Sequence, residues 1–232
     1  MRFFKRSKAV AIDGPAGSGK STVSRLVAEK LGFTYIDTGA MYRALTLKVM
    51  QAGCGFDNTD GMIRLSSKLD IELLPSEKKG VTIRVILDGR DVSEDIRTLE
   101  VSHNVKHVAK IAEVRKNLVK LQRGMVRALD GAVMEGRDIG TVVLRDACCK
   151  IYLDASFGER VGRRLAELNA KGKPATREEV EDDLKQRDHT DKTRKAGPLK
   201  KASDAHLVDT TDLSINQVVA KIVDIVTGKT CS

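Results

Sequence analysis

The sequence predicts an α/β fold in which helices flank a parallel β-sheet, and three observations lead to this prediction. Short apolar runs alternate with amphipathic helical patterns along the 232 residues, which is typical of strands joined by crossover helices. A Gly-rich turn directly follows the first apolar run. Residues 70–97 break the alternation and predict a small antiparallel insertion. The length fits one compact domain with an inserted subdomain.

The first strand is predicted over Ala9–Asp13, and the helix that begins near Lys20 is expected to end at Gly32. A second strand over 33–37 leads into a helix that ends near residue 53, and a helical stretch over 99–129 is expected to break near residue 111. Three further strands are predicted over 132–135, 150–154 and 206–210. Capping boxes at Ser156, Thr176 and Ser214 begin the last three helices.

The predicted insertion alternates apolar and polar residues from Val81 to Leu87 after a turn over 77–80, and Asp88-Gly89 is a strong hairpin signal. We therefore divide the chain into a core of residues 1–69 and 98–232 and an inserted subdomain of residues 70–97.

Composition and charge narrow the class of protein. The net charge of +9 suits either a nucleic-acid binder or an enzyme that handles several phosphates at once. No apolar run is long enough to cross a membrane, and the basic amino terminus lacks the apolar stretch of a signal peptide. The four cysteines have no metal-ligand spacing, which favours reduced thiols. We expect a cytoplasmic protein.

The strongest motif is the segment Gly14-Pro15-Ala16-Gly17-Ser18-Gly19-Lys20-Ser21-Thr22, which matches the P-loop pattern G-x-x-x-x-G-K-[ST]. Glycines allow backbone N–H groups to turn inward around phosphates, and the following helix points its positive end at the same anion. Lys20 is expected to bridge the β- and γ-phosphates of ATP, while the Ser21 hydroxyl is expected to bind Mg²⁺. The motif lies between a strand and an amphipathic helix, as it requires.

Polar clusters follow two other strands at the sheet edge where ligands of open parallel sheets bind. Asp37-Thr38-Gly39 precedes Arg43 by one helical turn, and Gly136-Arg137-Asp138 follows the strand over 132–135. Converging guanidinium groups suit a phosphate acceptor, because each can pair with two oxygens. An isolated arginine such as Arg43 is more often a solvated surface residue.

The segment 182–201 is dense in charge and is broken by Gly197 and Pro198. It is either an exposed helix end or a mobile lid whose arginines close over the phosphates and exclude water. Arg160, Arg163 and Arg164 likewise face either nucleotide or solvent. The histidines form no H-E-x-x-H pattern, although His103 and His107 are one helical turn apart.

In order and spacing, these residues resemble the bacterial cytidylate kinases over nearly the whole chain. The resemblance rests on AIDGPAGSGKST, YIDTGAMYRA, DVSEDIRT, EGRDIGTVV, KIYLDAS and QRD…D…R…PLKKA. It implies a P-loop kinase core with a small antiparallel, CMP-binding insertion and a helical lid. Two positions depart from the family pattern: Lys106 stands where a serine is usual, and Glu135 stands where an aspartate is common.

The resemblance also implies roles for individual residues. Arg43, Arg137 and Arg194 would hold the CMP phosphate, and Lys20, Arg137 and Arg194 would stabilise the transferring group. Asp138 and Arg115 would read the cytosine edge. The sugar would contact Arg187 and Asp191, the acceptor would lie near Thr38, and Arg160 would bind the donor nucleotide.

The sequence thus predicts a monomeric ATP-dependent kinase that phosphorylates CMP or dCMP with Mg²⁺ and binds neither nucleic acid nor membrane. Two alternatives stay open. One is a kinase of the same fold for another pyrimidine monophosphate, UMP or dTMP. The other is a P-loop regulatory NTPase or nucleic-acid binder, which steep salt dependence of binding to duplex DNA would support.

Overall fold

The computed structural model describes residues 8–76, 83–170 and 172–228. Its strands are β1 Lys8–Asp13, β2 Thr34–Asp37, β3 Ile71–Pro75, β4 Ile83–Leu87, β5 Arg90–Asp91, β6 Gly131–Gly136, β7 Cys149–Asp154 and β8 His206–Asp209. Its α-helices are α1 Lys20–Leu31, α2 Thr38–Gln51, α3 Thr59–Ser67, α4 Leu99–Ala109, α5 Ala112–Arg127, α6 Phe157–Ala170, α7 Arg177–Thr193 and α8 Ile215–Gly228.

The larger sheet has the strand order β2-β6-β1-β7-β8, so β1 lies at its centre. β1 pairs in parallel with β6 and β7, and β7 pairs in parallel with β8. Strands buried on both faces are expected to be continuously apolar, and β1 and β6 are buried along nearly their whole length. The predicted α/β class with a parallel sheet and flanking helices is confirmed.

The chain divides into two compact units, one formed by residues 1–35 and 130–232 and the other by residues 36–129. The second unit contains the antiparallel sheet β3-β4-β5. The β4–β5 hairpin turns at Asp88 and Gly89, whose φ values of 49° and 79° are those that a type I′ turn requires. The predicted turn over 77–80 lies outside the described residues. The unit that contains this sheet comprises residues 36–129, so it includes more of the chain than the predicted insertion of residues 70–97.

Local signals in the sequence set several helix boundaries. Gly32 ends α1 with a φ of 66°, and the helical stretch predicted over 99–129 is interrupted between α4 and α5, as expected. The capping boxes at Thr176 and Ser214 have both reciprocal hydrogen bonds. At Ser156 the hydroxyl accepts from Glu159 N–H, but Thr211 Oγ1 accepts from Ser156 N–H in place of the glutamate.

The charge-dense segment 182–201 is partly core, whereas its charge density predicts an exposed helix end or a mobile lid rather than core. Leu184 is fully buried and packs with Val180, Val161 and the P-loop residue Ala16. Most of the segment belongs to α7, where Asp188, one turn after Leu184, is also buried and pairs with Arg160.

The cysteines are only partly as expected. Cys54 and Cys149 are reduced thiols, but Cys148 is disulfide-bonded, so the expectation of reduced thiols is wrong for Cys148. Among the residues that the structure describes, no helix is both long and apolar enough to cross a membrane.

Candidate active site

The P-loop connects the end of β1 to the start of α1. A Cβ atom added to Gly14 would lie 2.0 Å from the carbonyl oxygen of Leu153, so only glycine fits against β7 there. Gly19 has a φ of 85°, which favours glycine as the loop turns into the helix. The loop is therefore shaped by glycines at both ends, as the motif predicts.

The Lys20 side chain is buried and folds back over the P-loop. Its ammonium donates hydrogen bonds to the Pro15 carbonyl at 2.5 Å and to Ser18 Oγ at 3.3 Å. Burial and the nearby charge of Arg137 lower the pKa of Lys20 to about 7. An anion in the loop would oppose both effects, so the protonated lysine is best stabilised when phosphates are present.

Ser21 and Thr22 follow in the first turn of α1, and both are exposed. The described residues contain no cluster of three His, Cys, Asp or Glu side chains that could hold a metal ion. Mg²⁺ commonly takes one or two protein ligands and completes its shell with substrate phosphates and water. The exposed Ser21 hydroxyl beside the phosphate loop fits that mode of binding.

Beyond β6, acidic and basic side chains from two elements meet. Arg137 Nε donates to Asp191 Oδ2 at 2.7 Å, and Arg194 Nη1 lies 3.4 Å from Asp191 Oδ1. Arg194 Nη2 also lies 3.5 Å from Asp138 Oδ1. Four residues predicted to bind the acceptor are therefore gathered at the carboxyl end of β6.

The electrostatics of this cluster favour its charged forms. Burial is the largest effect on the pKa of Arg137 and lowers it, but Asp191, Glu135 and Asp188 together reverse this effect and raise the pKa overall. Burial likewise raises the pKa of Asp191, and Arg137, Arg194 and Arg187 together hold it below its usual value. Both groups are thus ionised across the physiological range.

Arg187, also on α7, pairs with Asp183 at 3.5 Å, and its side chain is 40% exposed. Burial of the guanidinium and the charge of Arg137 lower its pKa. The charge of Arg187 therefore interacts with the charges of this cluster. Among the ion pairs of the described residues, none joins Arg187 to Asp191.

The arginines of α6 differ from one another. Arg160 is buried against the P-loop, where Nη1 donates to the Ala16 carbonyl at 3.0 Å and pairs with Asp188 at 2.8 Å. Arg163 donates to the carbonyl of Thr210, and Arg164 pairs with Glu167. Arg163 Nη1 also donates to the Ser18 carbonyl at 3.5 Å, so both Arg160 and Arg163 contact the P-loop. Direct contact of Arg160 with the nucleotide stays a prediction.

The other compact unit holds three further predicted residues. Thr38 begins α2 and is buried, and one turn later Arg43 pairs with Asp37 at 3.1 Å. Asp37 also caps α2 by accepting from Ala40 N–H. On α5, Arg115 is buried, donates to the Ala109 carbonyl at 3.3 Å and lies 5.4 Å from the centre of the Tyr42 ring. These contacts hold both arginines in defined orientations.

Sequence reasoning assigned no role to three acidic residues near the site. Asp13, directly before the P-loop, accepts two backbone hydrogen bonds, and Asp188 pairs with Arg160. Glu135 accepts a hydrogen bond from Tyr35, one hundred residues earlier in the chain. Asp13 and Asp188 lie within the segments that carry the resemblance, but no spacing rule identifies their partners.

Comparisons with known proteins identify the family. A family model described as cytidylate kinase matches residues 10–228. The cytidylate kinase of Carboxydothermus hydrogenoformans is 49% identical over 220 residues, which cover 95% of this chain and 97% of that protein. The cytidylate kinase of Pelotomaculum thermopropionicum is 48% identical over 92% of this chain and 93% of its own length.

Two further matches are more limited. A bifunctional pantoate ligase/cytidylate kinase from Nostoc is 48% identical, but the match covers only 41% of that protein. The solved structure of a gluconokinase from Sinorhizobium meliloti has a TM-score of 0.50 at 13% identity, covering 98% of this chain and 94% of that one, and shows similarity of fold alone. Together with the family model and the full-length relatives, the P-loop and the arginine–aspartate cluster lead to one conclusion: the chain belongs to the cytidylate kinase family.

Proposed function

We propose that this chain transfers the γ-phosphoryl group of ATP to CMP or dCMP, giving ADP and CDP or dCDP. A phosphate oxygen of the monophosphate attacks the γ-phosphorus, and the bond to the β–γ bridging oxygen breaks. The observation that carries the proposal is the P-loop with a buried Lys20 in the same compact unit as the cluster of Arg137, Asp138, Asp191 and Arg194. The family supports the choice of acceptor.

On the donor side, the backbone of residues 14–19 and the start of α1 would bind the phosphates of ATP. Lys20 would exchange its bonds to Pro15 and Ser18 for the β- and γ-phosphate oxygens. Thr22 and Arg160 would complete the donor site. Ser21 would hold Mg²⁺, which neutralises phosphate charge when it is bound. No strong base is required, since phosphoryl transfer depends mainly on positioning and charge stabilisation.

On the acceptor side, Arg43, Arg137 and Arg194 would bind the CMP phosphate. Each is already oriented by a carboxylate, from Asp37, Asp191 and Asp138 respectively. The phosphate would share or replace these carboxylate contacts, so the arginines stay neutralised before and after binding. Arg187 and Asp191 would contact the sugar hydroxyls, and Thr38 would lie near the acceptor.

Base selection would fall to Asp138 and Arg115. A carboxylate accepts a hydrogen bond from the exocyclic amine of cytosine, whereas uracil presents a carbonyl oxygen at that position. With UMP, the Asp138 carboxylate would face this carbonyl oxygen and would lack the hydrogen bond that the cytosine amine donates. Such a loss costs about 1–3 kcal/mol. We therefore expect kcat/KM for CMP to exceed that for UMP by at least about tenfold.

The test is ADP release measured with CMP, dCMP, UMP and dTMP as acceptors. Asp138→Ala should narrow the gap between CMP and UMP, mainly by lowering kcat/KM for CMP. Asp146→Ala is the matched control, because Asp146 is an exposed aspartate in the loop before β7. If the wild-type enzyme used UMP as well as CMP, the assignment of the acceptor would be wrong, although a P-loop kinase would remain.

Two further expectations belong to the same proposal. We propose that the enzyme acts as a monomer, which sedimentation at assay concentrations can check. We also propose that the inserted segment 70–97 belongs to the part of the enzyme that binds CMP. Deleting the β3–β5 sheet should then raise KM for CMP more than KM for ATP.

A further inference from the structure

Asp13 is a buried acid to which the proposed reaction assigns no task. It is the last residue of the central strand β1 and directly precedes Gly14 of the P-loop. Its backbone is in register with Gly136 on β6 and with Tyr152 on β7. Only 4% of its surface is exposed, and a buried carboxylate needs specific partners to be tolerated.

Its partners are two consecutive backbone N–H groups. Oδ1 accepts from Ile139 N–H at 2.8 Å, and Oδ2 accepts from Gly140 N–H at 2.8 Å. These residues begin the π-helical turn Ile139–Val143, whose first N–H groups have no partner within the turn itself. Both distances fall in the range of charge-assisted hydrogen bonds, which are the stronger class.

The two bonds determine where Arg137 and Asp138 lie. Gly136, before them, is held by β-sheet pairing with β1, and Ile139 and Gly140, after them, are held by the Asp13 carboxylate. The chain between these two fixed points is only two residues long. Because Asp13 also continues into the P-loop, a single residue joins the donor loop to the turn that carries the acceptor residues.

We propose that Asp13 is a positioning residue, which holds the turn at Arg137 and Asp138 in a fixed place relative to the P-loop. Each of its oxygens accepts a hydrogen bond from a backbone N–H group of the turn, which is the contact that a positioning role requires. The charged and titratable groups that face it are Lys20, Asp138 and Tyr152. The inference rests on the proposed function only in taking Arg137 and Asp138 as acceptor-binding residues.

Asp13→Asn tests the proposal with almost no change in side-chain volume. The amide oxygen can accept from one N–H group, but the amide nitrogen then faces the other N–H group, and the turn must shift. A displacement of about 1 Å can cost about a hundredfold in rate. We expect KM for CMP to rise about tenfold and the preference for CMP over UMP to fall about fivefold, with affinity for a non-hydrolysable ATP analogue unchanged within about threefold.

The matched control is Asp209→Asn. Asp209 also ends a strand, β8, and also accepts from a following backbone N–H group, that of Thr211, but it is exposed and lies outside the residues assigned to catalysis and binding. This variant should leave both KM values and the base preference at their wild-type values.

Two results with Asp13→Asn would overturn the proposal. If KM for ATP or the Mg²⁺ requirement rose while KM for CMP stayed constant, Asp13 would act on the donor or the metal. If only kcat and the melting temperature fell, with base preference intact, its role would be structural.

A measurement on the wild-type protein keeps the proposal testable if Asp13→Asn does not fold. The amides of Ile139 and Gly140 should exchange with solvent at least about a hundredfold more slowly than in an unstructured peptide, with or without nucleotide. Exchange near the unstructured rate would overturn the proposal. Amide exchange does not depend on the acceptor, so its outcome is independent of the substrate assignment. The kinetic comparison is run with whichever monophosphate the wild-type enzyme uses best.

Discussion

Replacing Asp188 with alanine should destabilise the protein severely, because it removes one half of a buried ion pair. Arg160 Nη1 and Asp188 Oδ2 are 2.8 Å apart, and their side chains are only 8% and 13% exposed. The pair joins α6 to α7, and the same Arg160 atom also donates to the Ala16 carbonyl in the P-loop. In the alanine variant the guanidinium would stay buried with only that carbonyl and the Phe157 ring as neighbours in this contact.

The size of the effect follows from this burial. Breaking a buried pair by removing one partner costs about 3–5 kcal/mol, because a charge is left without compensation. For a chain of this size each kcal/mol corresponds to about 2–4 °C in melting temperature. We therefore expect the melting temperature of Asp188→Ala to fall by about 6–20 °C.

Thermal unfolding at pH 7 measures the melting temperature and urea denaturation measures the free energy of unfolding, and Arg177→Ala is the control on the same helix. Arg177 and Glu181 also form an ion pair, at 2.9 Å, but their side chains are 61% and 30% exposed. Such exposed pairs contribute about 0–1 kcal/mol. If Asp188→Ala cost no more than Arg177→Ala, the pair would not be buried in solution and the reasoning would be wrong.

A second variant separates loss of the pair from loss of packing. The double substitution Arg160→Met and Asp188→Leu replaces both charges with apolar side chains of similar volume. Buried pairs replaced in this way are often neutral or stabilising. The double variant should therefore be more stable than Asp188→Ala. If the double variant were no more stable than Asp188→Ala, the cost of Asp188→Ala would not come from the unpaired charge of Arg160, and this explanation would be wrong.

Three other predictions use the same site. Lys20→Ala should keep the fold, checked by circular dichroism, and lose phosphoryl transfer by several orders of magnitude, because it removes the charge beside the phosphates; turnover near wild type would contradict it. Amides in residues 182–201 should exchange more slowly with ATP and CMP analogues bound together than without ligand, and equal exchange would argue against a lid. Asp13 should make stability depend on pH, because burial raises its pKa from 3.8 to about 6. The folded state therefore binds this proton more tightly than the unfolded state, and the stability it contributes is lost as pH rises through about 6. Wild type should lose about 1 kcal/mol more than Asp13→Asn in urea denaturation between pH 5 and 7, whereas identical pH profiles would refute the shift.

Much of the fold could be predicted from the sequence because its signals are local. The P-loop, Gly32, Asp88-Gly89 and the break before α5 each depend on the conformational preferences of a few adjacent residues. The gathering of Arg137 and Asp138 at a strand end also followed, since the carboxyl ends of parallel strands share one edge of the sheet. These are backbone properties, and sequence reasoning reaches them directly.

Side-chain partners could not be predicted, because they depend on three-dimensional proximity. Arg160 was placed near nucleotide or solvent, yet it pairs with Asp188 and donates to Ala16. The charge density of the segment 182–201 predicts an exposed segment or a lid. It gives no sign of the single apolar face on which Leu184 is fully buried. Asp13 precedes its partners Ile139 and Gly140 by more than 120 residues, and no sequence period connects them.

The arginines at the sheet edge do not account for the net charge of +9, because an equal number of aspartates lies beside them. A surface that binds nucleic acid through its phosphates needs cations available to solvent. Here the buried or half-buried arginines at the sheet edge are paired with aspartates: Arg137 with Asp191, Arg160 with Asp188, and Arg194 with Asp138 and Asp191. Such pairing allows several guanidinium groups to lie close together before substrate binds, because each is already neutralised.

A phosphate that enters must compete with these carboxylates. The cluster should therefore favour a compact dianion that reaches several arginines at once over an extended polyanion that contacts them one at a time. Inorganic phosphate should therefore inhibit competitively with CMP, whereas duplex DNA at equal phosphate concentration should not.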